Sequence, residues 1–395
     1  MSSLRTKPFA ARAWDALASL KVSITCLALL MVLVVLCTLA QVRMGSLAAV
    51  DAYVRSFLVF WDVPGTALSI PVFPGGALVG LVLTVNLVAA QLKRLELSVR
   101  KAGLWVVHAG LILLFAGEFG SAAFQVEMQL PIQVGETVDH LESPRDVELA
   151  LADTTDAGHD DVYGIPESLL AHNRSIAVTG TPFVLEVMRY SRNADLRARV
   201  PTDPPSSVDV GIGAGVTVRD LPPVTADDRI DQRAVVVEVL AGGQSRGTWL
   251  LSNGLDAPQS LIHEGRTWTL SLRARRRYLP YSLTLEKFSH ELYPGTDIPK
   301  NFSSLVHLSN RAQGEERDVL ISMNQPLRYA GNAFYQASFG DGDKLSILQV
   351  VENPGWLIPY ISCVLVGGGL LLHFALSLGR ALRRRRGDGG RSDLR

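Results

Sequence analysis

Two histidines set in otherwise apolar runs are the residues of this sequence best placed to do chemistry. His108 lies in GLWVVHAGLILLFAGEFG (103–120) and His373 in LIPYISCVLVGGGLLLHFALSL (357–378). An ionisable side chain is costly in hydrocarbon and marks a functional position when a partner can be named. Here the spacing names one. His108 lies five residues past Gly103 and His373 six residues before Gly379, so both imidazoles are expected roughly 8 to 9 Å in from one membrane face. Two neutral imidazoles from facing helices at one depth suit the axial positions of a haem iron. Ala109, Gly110, Gly367, Gly368 and Gly369 would leave room for the macrocycle, and Trp105 and Phe374 would line it. On spacing alone, the alternative is an interhelical hydrogen bond, worth about 0.6 kcal/mol in a bilayer. Asn86, in another apolar run, is read as a hydrogen-bonding residue.

These side chains need elements that cross a bilayer. Four runs have about the ~20 apolar residues that requires: 22–41, 72–91, 103–120 and 357–378. Arg5, Lys7, Arg12 and Lys21 precede the first run as they would in a signal peptide, but its apolar core is longer than a signal's, so it reads as an anchor. Basic residues flank the runs on alternate sides: Arg12 and Lys21, then Lys93, Arg94, Arg100 and Lys101, then Arg380 and Arg383 to Arg386. The positive-inside rule therefore puts both termini (1–21 and 379–395) and the loop 92–102 in the cytoplasm, and 42–71 and 121–356 outside. In the first outer loop Val50, Tyr53, Val54, Phe57, Leu58 and Trp61 recur at helical spacing. They are expected to form an amphipathic helix, lying in the headgroup layer or packing under the outer domain.

The composition agrees with a chain that is part membrane and part aqueous. Of its 395 residues 48% are hydrophobic, and Lys+Arg and Asp+Glu each total 38, so net charge selects no nucleic-acid or acidic partner. Cys26, Cys37 and Cys363 lie in apolar runs with no CxxC or CxxCH spacing, which excludes a thiol oxidoreductase or a c-type cytochrome. From residue 121 onward, short alternating segments separated by Gly, Pro, Asn and Asp predict an all-β, sandwich-like domain. Expected strands are 183–190, 234–240, 266–272, 281–288, 302–309, 317–323, 333–339 and 345–351, and the Pro- and Gly-rich stretch 198–216 is expected to divide the domain into two lobes. Its histidines, His140, His159, His172, His263, His290 and His307, show no metal-ligand spacing and read mostly as surface residues. No nucleophile, zinc or phosphate-loop motif is present. The fold class is thus a membrane protein with four transmembrane α-helices and a large extracytoplasmic all-β domain.

The runs KFSHELYPGTDIPKNFSSLVHLSN (287–310), SMNQPLRYAGNAFYQASF (322–339) and VVENPGWLIPYISCVLVGGGLLLHF (350–374) resemble the C-terminal half of ResB-type cytochrome c biogenesis proteins. Similarity is weaker in LASLKVSI (17–24) and around His108, and residues 150–260 depart from the family's pattern. The resemblance implies a multi-pass protein of the bacterial inner membrane, an accessory subunit of the System II cytochrome c synthase rather than a catalyst alone. It implies a CcsA/ResC-type haem-handling partner, apocytochrome c, a thioredoxin-like thiol reductant, and haem b carried by His108 and His373. The sequence lacks the tryptophan-rich haem motif of that partner, as such a subunit should. Two rival readings are a cofactor-free anchored β scaffold and an electron-transfer cytochrome b. The second would require four membrane histidines where this chain has two.

Overall fold

The computed structural model describes residues 9–392 apart from 67, 94–97, 204, 225–229, 256, 296–298, 341 and 343, together with the side chains of those residues except 9–11, 47, 100, 292, 299 and 384–392. Arg5, Lys7, Arg94 and the side chains of Arg100 and Arg384 to Arg386 therefore lie outside the described residues. The chain forms two units, one holding the residues up to Gln125 and from Asn353 onward, the other spanning Val126–Val224 and Asp228–Glu352.

The helices are α1 (Phe9–Leu17), α2 (Leu20–Met44), α3 (Ser46–Ala49), α4 (Gly76–Lys93), α5 (Ala102–Phe124), α6 (Glu167–His172) and α7 (Ile358–Ser392). Among the described residues four are long and apolar enough to cross a membrane: α2, α4, α5 and the Ile358–Arg383 part of α7. All four sit in the first unit, and most of their large apolar side chains are exposed, as in Met31, Val34 and Leu39 of α2. An outer surface of that kind is stable against lipid and unstable against water.

The loop expected to hold an amphipathic helix folds differently. After α3 a single π-helical turn covers Val50–Val54, and the chain then enters an antiparallel hairpin of Leu58–Asp62 with Ser69–Pro74. Over so few residues the apolar positions fit either period. The pairing of β-branched and aromatic residues across Pro64-Gly65 decides for strand.

Among the described residues the regular elements of the second unit are antiparallel strands, α6 and a 3-10 turn. Its main sheet runs in the order Glu315–Ser322, Pro299–Asn310, Arg266–Leu292, Thr137–Asp153, Val126–Gln133, Leu345–Glu352, Asn332–Gly340, Leu327–Tyr329. A four-stranded sheet of Gln244–Ser252, Ala234–Ala241, Phe183–Ser191 and Ser175–Ala177 packs on one end of it. Two large apolar cores and a smaller cluster around Val208, Val236 and Leu250 result among the described residues. One gathers Leu149, Leu151, Phe183, Leu185, Val237 and Trp268, the other Leu130, Leu141, Leu283, Val306, Phe334 and Leu348.

The two larger cores share the same two long strands, and the stretch 198–216, expected to divide the domain, instead contributes Val208, Ala214 and Val216 to the smaller cluster. The expected strands 266–272 and 281–288 are parts of one strand, Arg266–Leu292. Even positions (Trp268, Leu270, Leu272) face the first core and odd positions (Tyr281, Leu283, Leu285) the second. Register shifts between Ala274/Arg276 and Tyr278/Leu283 make the change of face, and a further shift after Leu285 turns Phe288 inward. One extra residue in one strand is enough to exchange its two faces.

Candidate functional site

The first unit is organised around the contact of α5 with α7. Gly103, Gly110 and Gly117 recur every seven residues and form one stripe of α5. A Cβ added at Gly103 would lie 2.5 Å from the His373 backbone nitrogen and 2.6 Å from the Gly369 carbonyl oxygen, and one at Gly110 would lie 2.9 Å from the Val366 side chain. At Gly117 the added carbon would meet Ile358 at 2.4 Å. The two helices thus touch backbone to backbone, the packing that small residues permit in membranes. At the other end of the seam Asn353 donates to Ser121 Oγ (3.1 Å) and Gln125 Oε1 (3.2 Å) and accepts from the Gly355 N–H (2.8 Å). This turn ties the entry of α7 to the exit of α5.

The expectation that His108 and His373 meet is not realised in this seam. His373 is level with Gly103, while His108 is five residues farther along α5, which offsets the two residues along the helices by roughly 7 to 10 Å. At about 100° per residue, His108 also lies about 140° around α5 from Gly103. Its stripe is that of Phe115, which packs on Cys26, Val79 and Leu83 of α2 and α4, and of Phe119, which approaches Gly80 of α4. The two residues thus lie at different levels and against different faces of α5. Gly110 and Gly369, expected to make room for a macrocycle, are the residues that close the seam, and Gly367 and Gly368 face open space. Along this seam the two helices pack too closely to hold a macrocycle between them.

Each ring has a distinct environment. His108 Nδ1 lies 2.7 Å from the Leu104 carbonyl oxygen. A carbonyl only accepts, so Nδ1 carries the proton and Nε2 presents its lone pair away from the helix, the tautomer a metal-binding imidazole needs. His373 Nδ1 is buried without a hydrogen-bond partner, and Phe374 beside it is exposed.

Asn86 behaves as expected and its partners explain why. It is buried on α4, where its amide nitrogen donates to the carbonyl oxygens of Leu17 and, at 3.1 Å, of Ser19, and its oxygen accepts from Ser23 Oγ at 2.6 Å. Leu17 and Ser19 flank the break between α1 and α2, where carbonyls lose their helical partners. Asn86→Leu is expected to lower the stability of the detergent-solubilised protein by about 1–3 kcal/mol, the cost of stranding such groups. Thermal unfolding indistinguishable from wild type would refute this role.

The β unit holds one group of donors that no spacing could reveal. Glu286, His307 and Asp318 sit on three adjacent strands with donor atoms within 4.8 Å of one another. His307 Nδ1 hydrogen-bonds Asp318 Oδ1 at 2.7 Å, and that bond, with the Asp318 charge, raises the imidazole pKa above its ordinary 6.5. The contribution of this pair to stability is full below the ordinary histidine value and fades as pH rises through the raised one. In a proton NMR titration His307 is expected to titrate above 6.5, and in Asp318→Asn to fall back; an unchanged midpoint in that variant would refute the pairing. His263, expected on the surface, is instead buried against the Phe183 ring (5.3 Å between centroids).

Four bilayer-length helices carrying an all-β unit define the class, a membrane-anchored β protein. Residues 234–348, which contribute strands to both large cores of that unit, match the model of the ResB-like family, and the matched segment includes the motif runs 287–310 and 322–339. The chain is also 36% identical over 93 residues to Protein NrfI of Wolinella succinogenes; the aligned stretch is 24% of this chain and 10% of that protein, so the chain spans about a tenth of the relative it matches.

Proposed function

We propose that this chain takes part in cytochrome c biogenesis as the ResB-like subunit of a System II synthase. The observation that carries the reading is the ResB-like segment, 234–348, set in a β unit whose chain is continuous at both ends with apolar helices. In this reading the helices associate with a CcsA/ResC-type partner in the bacterial inner membrane, with both termini cytoplasmic and the β unit outside. The β unit holds the partner, the apocytochrome or a thioredoxin-like reductant while haem is joined to CxxCH.

For haem, the cargo of that system, this reading favours separate sites over a His108–His373 clasp, since the two residues lie at different levels and against different faces of α5. Each histidine is a separate candidate ligand, its second axial ligand supplied by the partner, with the free Nε2 of His108 the better oriented.

Removing the gene is expected to abolish covalent haem on cytochromes c, read as haem staining of denatured proteins on gels, and a plasmid copy is expected to restore it. Undiminished staining in the deletion strain would refute the proposal. Purification with a CcsA/ResC-type partner, followed by optical spectra of His108→Ala and His373→Ala made singly, separates haem carriage from a cofactor-free scaffold. The scaffold reading expects the haem spectrum of the complex to be the same in both variants as in the wild type.

A further inference from the structure

We propose that the hairpin Leu58–Pro74 lies in the headgroup layer of the membrane, a lipid-facing element additional to the four long helices. The proposal rests on the bilayer reading of those helices. The hairpin is apolar on both faces: Phe60 and Trp61 point to opposite sides, and each is more than half exposed, at 56% and 54%. Phe57, Leu68 and Val72 are equally open, at 60%, 58% and 55%. An isolated two-stranded hairpin is marginal in water, and this one presents aromatic and aliphatic side chains where water would be.

Its attachment fixes where it can go. The Gly75 N–H donates to the Phe57 carbonyl (2.9 Å) and the Ala77 N–H to that of Ser56 (3.2 Å). A Cβ added at Gly75 would meet the Ser56 oxygen at 2.1 Å, so only glycine closes this junction. The base of the hairpin is thus clamped to the first turn of α4, and the chain reaches it from the end of α2. A strand pair of five or six residues extends roughly 16–20 Å, and its clamped base sits at the level where α4 begins.

Lipid suits this element better than a protein partner would, since docking onto one face would leave the other face's apolar residues in water. Trp and Phe are the residues that favour the headgroup boundary, and the one acid in the strands, Asp62, is bonded to Ser69. Arg55 pairs with Asp51 at the base, at 2.8 Å.

The test places a nitroxide at Trp61→Cys in full-length protein lacking its native cysteines, reconstituted in phosphatidylcholine vesicles, and compares its accessibility to oxygen and to a water-soluble nickel chelate. Labels at Val35→Cys on α2 and Arg246→Cys in the β unit serve as acyl-chain and water references. Position 61 is expected to fall between the two references, with oxygen favoured over nickel. Equality with position 246, or shielding from both reagents as in a protein interface, would overturn the proposal. Failure at position 35 would overturn the bilayer reading and the proposal together. In wild-type chain, tryptophan quenching by lipids brominated near the headgroup is expected to decrease in Trp61→Phe; equal quenching in that variant would also overturn the proposal.

Discussion

Replacing Gly103 by leucine is expected to prevent the chain from accumulating as monodisperse protein, while alanine at Gly367, on the same pair of helices, leaves it intact. The contrast comes from what each added carbon meets. At position 103 the nearest atoms are the His373 nitrogen (2.5 Å), the Gly369 oxygen (2.6 Å) and the His373 Cα (2.7 Å), all main chain. A side-chain tip can rotate away, but a helix backbone moves only as a rod, so relief requires α5 and α7 to separate. Separation would undo the packing at Gly110 and Gly117 as well. Even alanine at 103 is expected to cost about 1–3 kcal/mol, the usual penalty of overpacking, and leucine more. At Gly367 nothing lies within 4 Å, and alanine gains up to about 1 kcal/mol of helix propensity. Size-exclusion recovery after heating in detergent distinguishes the two outcomes. Equal midpoints for Gly103→Ala and Gly367→Ala would mean that the helices do not touch along this stripe.

That stripe also shows how far the site was legible in the sequence. Continuous apolar runs made the four helices readable, because length and absence of charge are sufficient signals in hydrocarbon. The expected depth of each histidine rests on Gly103 and Gly379 as helix ends. However, α7 continues through Gly379 to Ser392, so Gly379 marks no boundary. The direction of each ring depends on which face of α5 meets α7, and depth alone cannot supply it. The signal was available in the heptad of Gly103, Gly110 and Gly117, from which His108 lies well off the line. In the β unit, the alternating strands 183–190 and 345–351 read correctly because one face is core and the other is wet. Thr137–Asp153 and the middle of Arg266–Leu292 hide their strand character behind charge: RARRRY resembles a loop until it is seen to pair with His140–Glu142 and Val147–Glu148, on either side of the bulge at 143–146.

That pairing supports the other large prediction. Where the two cores meet, Arg273 bonds Glu148 (3.1 Å), Arg276 bonds Glu142 (3.0 Å), and Arg277 reaches Glu352 and the Asn332 oxygen (3.1 Å). Most of these are partly wet and individually weak. Glu148 differs because it is buried, 8% exposed, and its carboxylate lies over Gly164, where a Cβ would meet it at 2.8 Å. Arg273→Ala leaves that carboxylate inside the protein without its cation and is expected to destabilise the β unit by about 3–5 kcal/mol. The double variant Arg273→Met with Glu148→Leu removes both charges while retaining bulk, and is expected to recover most of the loss, since a buried ion pair repays little more than its own desolvation. Removing an exposed partner instead, as in Arg275→Ala opposite Asp146, is expected to change stability by less than about 1 kcal/mol. Urea unfolding followed by circular dichroism measures all three. An Arg273→Ala midpoint no lower than that of Arg275→Ala would show that Glu148 finds another partner, and that the junction of the two cores is held by their apolar residues alone.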